Sequence, residues 1–408
     1  MNSEPQNLQH INNYPEFLKP RLRLFLSADI AGSTAAKQKE SSFYKEGEAP
    51  RKERGWMEAT VYFFEEFSSQ FEAAWALADN AYHSVSGTKK SKNNPPEYWK
   101  AIGDEILFYK EISQWEEIWI AIGAWSVAIK KVRHELHNKF NSLGLDIKGT
   151  AWIAGFPVIN TELVLNIKST PNSAEYKPQI DFPIFSNICN LDQYYKSLSA
   201  GRHPAGERDF IGPLIDAGFR VSSQAIPGRL VISIEAAYAI LANKLKHGHV
   251  KAIQEEVKEF PDFKLYYAGR KHLKGFSGSS GYPLFIVDIG LPDDDLFSSE
   301  AKLLTKTNTC NMVNEQEALD FCEKYFHDGT SVCHPYIYDE VDSILLGGQM
   351  PQGHLMRLSE LHDLWIKISA NALSSPVKVS LSDNETEPEN IGIDKITDLA
   401  GLPARTQI

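Results

Sequence analysis

A chain of 408 residues, 42% hydrophobic and 23% charged, has the profile of an ordinary globular protein with a sizeable core and no need of disulfides; it has room for one large domain with appendages, or for two domains. The formal net charge of -11 argues against wrapping a nucleic-acid backbone, which takes clustered Lys and Arg. It leaves the binding of one nucleotide open, because metal ions can carry the compensating charge.

The first 19 residues read as a polar arm; they lack an apolar h-region and so are not a signal peptide. Arg21 to Asp29 alternates and then turns apolar, a strand that ends on an acid. Gly32-Ser33-Thr34 before an Ala-rich run signals a helix start. A charged insertion of about 37–54 interrupts that helix, and the aromatic, periodic run Trp56 to Ala78 is a buried helix. Tyr98 to Ile102 and Glu105 to Tyr109 form a hairpin about the tight turn Gly103-Asp104. Trp115 to Leu143 is a long amphipathic helix and Leu145 to Gly155 a strand. Residues 157 to about 205, rich in Pro, Asn and Ser, form a second insertion beside the core. A strand near Asp209, a helix from Leu214, a strand Arg229 to Ser233 and a helix from Ile234 follow, then strands Lys264 to Arg270 and Tyr282 to Asp288 about a Gly/Ser loop. The chain thus divides into an arm (1–19), a core domain with its two insertions (20–290), a helical extension (291–375) and a tail of disordered composition (376–408). No apolar run is long enough to span a membrane. The element order argues for an α+β fold, an antiparallel sheet covered by helices. Cys189, Cys310, Cys322 and Cys333 make no CxxC pair and read as free thiols of a cytoplasmic protein.

Chemistry concentrates in separated segments. Asp29 closes a strand just before a helix start, where a carboxylate can hold an ion while free N–H groups meet phosphate; the bland alternative is a helix cap. Lys100-Ala-Ile-Gly103-Asp104 presents an acid at a hairpin tip, or is merely a turn. Leu145 to Gly155 carries register and no chemistry. Asp209, then Asp216 and Arg220 four apart on one helix face, form a third group, with an ordinary surface salt bridge as the alternative. Lys274-Gly275, with Lys271 as the alternative cation, closes the series as a phosphate-binding loop or a basic turn.

In this order the segments resemble those of the class III nucleotidyl cyclases, most of all the bacterial pyrimidine (uridylate/cytidylate) cyclases of antiphage signalling, the Pycsar type. The resemblance spans about residues 22–288, and implies the palm-like, ferredoxin-like catalytic fold of that family. It implies two divalent ions, Mn²⁺ or Mg²⁺, held at Asp29, Ile30 and Asp104, with triphosphate at Ser33, Thr34 and Lys274. It places Lys100 and Asp209 against the base, and Arg220 and Asp216 at the transition state. Asp216 stands where the family has Asn. A homodimer with composite sites is implied, as is cyclisation of a nucleoside triphosphate to a 3′,5′-cyclic monophosphate. UTP is favoured over ATP, with Trp99, Phe210 and Tyr44 as rings that would fill the volume of a purine. An adenylate cyclase and a non-catalytic nucleotide sensor are the alternatives. Gly103-Asp104-Glu105 also resembles the Gly-Asp-Glu hairpin of diguanylate cyclases, but Ile102 stands where those have Gly.

Overall fold

β1 (Arg21–Ala31) alternates apolar and mixed residues, and a strand with that period must bury two different faces. In the computed structural model, which describes residues 8–41, 55–88, 95–165, 183–204, 206–275, 281–289, 299, 311–327 and 334–374, Leu22, Leu24, Leu26, Ala28 and Ile30 face a helical layer. Arg21, Arg23, Phe25, Ser27 and Asp29 alternate with them and line the opposite face.

The helical layer is α2 (Trp56–Ser86) and α3 (Glu116–Lys139). Their aromatic stripe interlocks edge to face: the Trp125 ring lies 4.6 Å from Phe67 and 4.7 Å from Phe71. α1 (Ser33–Ser41) precedes them, so the helix started at Ser33 continues through Lys37 to Ser41 before the charged stretch; residues 42–54 of the expected insertion lie outside the described residues. The expected hairpin is β2 (Glu97–Ile102) and β3 (Glu105–Ile112), and the strand Leu145 to Gly155 is β4 (Asp146–Phe156).

The second insertion is structured where it is described. β5 (Thr161–Leu165) pairs antiparallel with β6 (Glu207–Ile211) as a separate ribbon, and α4 (Pro183–Ser199) packs on it. α5 (Pro213–Ser222) then lies over Trp152, close enough that a Cβ on Gly218 would meet the indole at 2.2 Å. β7 (Leu230–Ile232), α6 (Ile234–Ala242), α7 (His247–Glu256), β8 (Leu265–Lys271) and β9 (Tyr282–Val287) complete the core. Beyond it come β10 (Asn311–Met312), α8 (Glu315–His327), the hairpin β11 (Tyr336–Asp339) with β12 (Ile344–Gly347), and α9 (Gln352–Ser374). The region expected to be all helical therefore contains strands, and β10 joins the main sheet.

That sheet has eight strands in the order β10-β8-β9-β7-β4-β1-β3-β2, antiparallel except for β4 beside β7. Its half β4-β1-β3-β2 with α2 and α3 on one face is a ferredoxin-like unit within the α+β fold. Packing groups Met1–Ile366 into one compact unit; Lys367–Ile408 forms a second, of which the end of α9 is described. The described part of the expected polar arm packs on the core: Leu8, Ile11, Phe17 and Leu18 are buried and Tyr338 Oη donates to the Leu8 carbonyl at 3.3 Å.

At the β1 end away from Asp29 the second face carries buried charge. Arg23 is 0% exposed and donates to Glu162 at 2.6 Å, while Arg21 and Arg23 share Glu111. Tyr195 of α4 also donates to Glu162, at 2.8 Å, so the ribbon is tied to the sheet through one buried carboxylate. Glu162→Ala would leave the buried Arg23 with only the carboxylate of Glu111, which it shares with Arg21, and should cost about 3–5 kcal/mol in urea unfolding, whereas Arg23→Met with Glu162→Leu should cost far less.

A second buried acid sits in the first turn of α6. Glu235 accepts from Tyr282 Oη at 2.7 Å, and its Oε1 has no hydrogen-bond partner among the described residues. Burial pushes its carboxyl above the ordinary value, so the folded state favours the protonated acid. Its contribution to stability is therefore complete below the unfolded carboxyl's pKa and is lost as pH rises. Glu235→Gln should accordingly gain stability over the parent, more at about pH 8 than at about pH 5, in paired urea titrations.

Candidate active site

The site begins with cross-strand register. Asp29 is paired with Glu105 on β3 and with Lys148 on β4, so all three side chains stand on the second face at one end of the strands. Lys148 Nζ lies 2.8 Å from Asp29 Oδ2. Burial raises the Asp29 carboxyl above its usual range; the bond from Lys148 opposes this and the charge of Asp104 adds to it. Glu105 is also raised, by burial first and by Asp29. Its Oε1 accepts from Ser27 Oγ and, at 3.0 Å, from Ser222 Oγ on α5.

Asp104 sits in the β2–β3 turn, where Gly103 takes a φ of 67°. Ser33, at the start of α1, donates its hydroxyl to Asp104 Oδ2, and Lys37 Nζ stands 3.5 Å from Oδ1. The α1 N-terminus, Thr34 exposed upon it, is thereby held at the two acids. Ile30 lies one residue beyond the last β1–β3 pair, with its side chain in the core.

Lys100 and Asp209 meet on the same side of the sheet. Lys100 Nζ is 2.7 Å from Asp209 Oδ1 and 3.0 Å from Oδ2, and Trp99 Nε1 donates to Oδ1 at 3.0 Å. Asp216 and Arg220 are both exposed on α5, and no salt bridge joins them among the described residues.

Lys274 is not brought to the acid pair. β9 pairs Val287 with Leu230, and Leu230 lies beside Gly149, next to Lys148; the other end of β9, Tyr282, pairs with Lys271. Lys271 and Lys274 are therefore toward the opposite end of the strands from Asp29, both exposed. Of the three rings expected to fill a base pocket, Phe210 is 2% exposed in the core, Tyr44 lies outside the described residues, and Trp99 stands against Lys100.

Sequence reasoning missed two partners. The strand β4 was expected to carry register alone, yet it supplies Lys148, a lone cation between Ile147 and Gly149 in an otherwise apolar run. Glu105 entered only through its likeness to another hairpin motif, although its place after Asp104 puts it opposite Asp29.

The donor set suits a divalent ion of the Mg²⁺ or Mn²⁺ kind, since carboxylate and main-chain oxygens are hard ligands. Among the described residues no cluster of three His, Cys, Asp or Glu is placed to hold a metal. Two carboxylates fit an ion that completes its shell with water and phosphate oxygens rather than in an all-protein cage. Lys148 and Lys37 now neutralise the two acids.

No protein-family model matches the chain, and no curated protein matches it. Among solved structures, the adenylyl cyclase CyaB from P. aeruginosa is similar at 14% identity and a TM-score of 0.34, over 68% of this chain and 97% of that chain. The guanylyl cyclase Cya2 aligns at 14% and 0.31, over 67% and 96%. The guanylate cyclase domain of RhGC from Catenaria anguillulae, in complex with GTP, aligns at 12% and 0.32, over 66% and 97%. With TM-scores below 0.5 these likenesses assign neither fold nor chemistry, which rest on the topology and geometry above.

The junction of β1 and α1 is a constrained stretch of backbone. Gly32 has a φ of 85°, and a Cβ there would stand 2.9 Å from the Gly144 carbonyl. Gly32→Ala should destabilise the protein by about 1–3 kcal/mol in urea unfolding, by displacing Ser33 from Asp104.

Proposed function

We propose that the chain is a nucleotide cyclase that converts a nucleoside triphosphate to its 3′,5′-cyclic monophosphate and pyrophosphate. The observation that carries this reading is the placement of Asp29, opposite Glu105 at the end of β1, beside Asp104 of the β2–β3 turn, which Ser33 joins to a helix N-terminus. An ion pair site and a phosphate-binding helix start at one end of the strands are what intramolecular phosphoryl transfer requires.

Asp29 and Asp104, with the Ile30 carbonyl, would hold the ions. Bound divalent ions supply charge neutralisation and a lowered pKa for the attacking hydroxyl. The ribose 3′-oxygen forms a bond to the α-phosphorus, the bond from that phosphorus to the bridging β-phosphate oxygen breaks, and the hydroxyl proton passes to solvent. Ser33 orients Asp104, and the free N–H groups at Ser33 and Thr34 face phosphate. Lys148 and Lys37, each on an acid in the chain alone, are placed to turn to phosphate oxygens once ions neutralise those acids. Arg220 stabilises the charge of the transition state, and Asp216 orients the ribose as an acceptor.

Lys274, toward the far end of the strands, and the exposed Asp216 and Arg220 serve the acid pair of a second copy in this reading. Two composite sites in a homodimer follow. Lys100 and Asp209 stand against the base, and UTP is the proposed substrate, with Trp99 filling the volume of a second ring; ATP is the alternative, since a Lys and an Asp also suit an adenine edge. A role in antiphage signalling comes with the family resemblance alone.

Purified protein with Mn²⁺ and each of the four triphosphates should yield cyclic UMP as the main product by mass spectrometry. Asp29→Ala, Asp104→Ala and Arg220→Ala should each lower turnover by about a hundredfold or more. An equal mixture of Asp29→Ala and Arg220→Ala chains should regain about a quarter of parental activity, because half the dimers then carry one intact composite site. Cyclic AMP as the sole product would sink the pyrimidine assignment, and full activity of both aspartate variants would sink the mechanism.

A further inference from the structure

Both acids of the site are engaged by cations of their own chain. Lys148 Nζ stands 2.8 Å from Asp29 Oδ2 and Lys37 Nζ 3.5 Å from Asp104 Oδ1, while Ser33 donates to Asp104 Oδ2. None of the four charged side chains is more than 35% exposed, so water screens these pairs only in part. The third carboxylate of the row is held differently. Glu105 accepts from the hydroxyls of Ser27 and Ser222 and forms no salt bridge among the described residues. The lysines thus sit on the two acids assigned to ions and leave the third.

The two lysines come from separate elements. Lys148 is placed by register, since β4 sets it opposite Asp29. Lys37 lies one turn after Ser33 on α1, so the hydroxyl and the ammonium that meet Asp104 share a helix face. Lys37 Nζ also lies 5.3 Å from the Trp56 ring, at the start of α2. Charge balance then decides what can enter. Two carboxylates and two ammoniums cancel. Bare divalent ions would add uncompensated positive charge beside both ammoniums, whereas ions that arrive on a polyphosphate bring their own anion. Its oxygens are also acceptors to which the ammoniums can turn.

We infer that Lys148 and Lys37 are a counter-ion lock, which keeps free divalent ions off Asp29 and Asp104 and admits them together with a polyphosphate. The inference rests on the assignment of those two acids to ions in the cyclase reading, and adds how filling of that site is regulated. Ion and polyphosphate are then positively coupled, and the coupling resides in the lysines.

The full chain is titrated with Mn²⁺ alone, by calorimetry and by melting temperature, and again with inorganic tripolyphosphate present, a probe that carries no base. The parent should bind Mn²⁺ alone weakly, and the two together should raise the melting temperature by more than the sum of their separate shifts. Lys148→Met with Lys37→Met keeps side-chain bulk without charge, and should bind Mn²⁺ alone about tenfold more tightly. Lys148→Met alone should give part of that gain, and serves where the double variant does not fold. Adding Asp29→Asn should abolish the gain, which locates the ion. Folded lysine variants with the parent's Mn²⁺ affinity overturn the inference, as does a parent that takes Mn²⁺ equally well with and without tripolyphosphate. Absence of a cyclic product from all four nucleoside triphosphates removes the cyclase reading instead, and leaves the lock to be decided by Mn²⁺ binding.

Discussion

The register of β1 between β3 and β4 is the constraint on which the rest depends. Strand side chains alternate with a period of two, so a slip of one residue would send Asp29 into the α2–α3 layer and Ile30 out of it. Ten buried helical residues of α2 alone, among them Phe63, Phe67 and Phe71, fix the apolar set of β1 inward. The core thereby fixes the polar set as well. Asp29, Glu105 and Lys148 are neighbours because Leu26, Ala28 and Ile30 are buried.

The second face then reads as three zones along β1. Arg21 and Arg23 hold the ribbon at one end, Phe25 anchors an aromatic cluster in the middle, and Ser27 with Asp29 makes the acidic edge. The middle zone lets the ends differ. Phe25 stacks on Trp152 at 5.5 Å, and Phe219 of α5 covers that indole from the other side of the cluster at 5.7 Å. α5 is seated there by aromatic area and pinned near the acids by Ser222 on Glu105. The ribbon that delivers Asp209 is seated by charge instead, through Arg23, Glu162 and Tyr195.

Much of this was legible because periodicity and turn chemistry are local. The strand that carries Asp29 near its end, the hairpin about Gly103 and the long helix after Trp115 each follow from residues a few positions apart. The α+β class followed from their order. What stayed hidden depends on partners distant in sequence. Lys148 is a site residue only because β4 lies beside β1, and β5 is a strand only because β6 completes it. Composition misled at the N-terminus and beyond residue 300, where a few apolar residues such as Leu8, Ile11 and Ile337 bury themselves among polar ones. The β-bulge at Trp99, where Tyr98 is opposite Phe108 and Lys100 opposite Leu107, leaves no composition signal, since its cause is pairing with β3.

That bulge also sits on an exposed margin. β2 is the last strand of the eight, with Tyr98 and Ile102 open to solvent, and an even strand there would offer another chain a ladder to extend. An added residue twists the margin and breaks the ladder, and Glu97 and Lys100 flank the break with charge. The irregularity that gathers Trp99 and Lys100 on Asp209 is therefore also a guard against edge-to-edge aggregation. Sequences that straighten β2 to reshape the pocket would trade solubility for it.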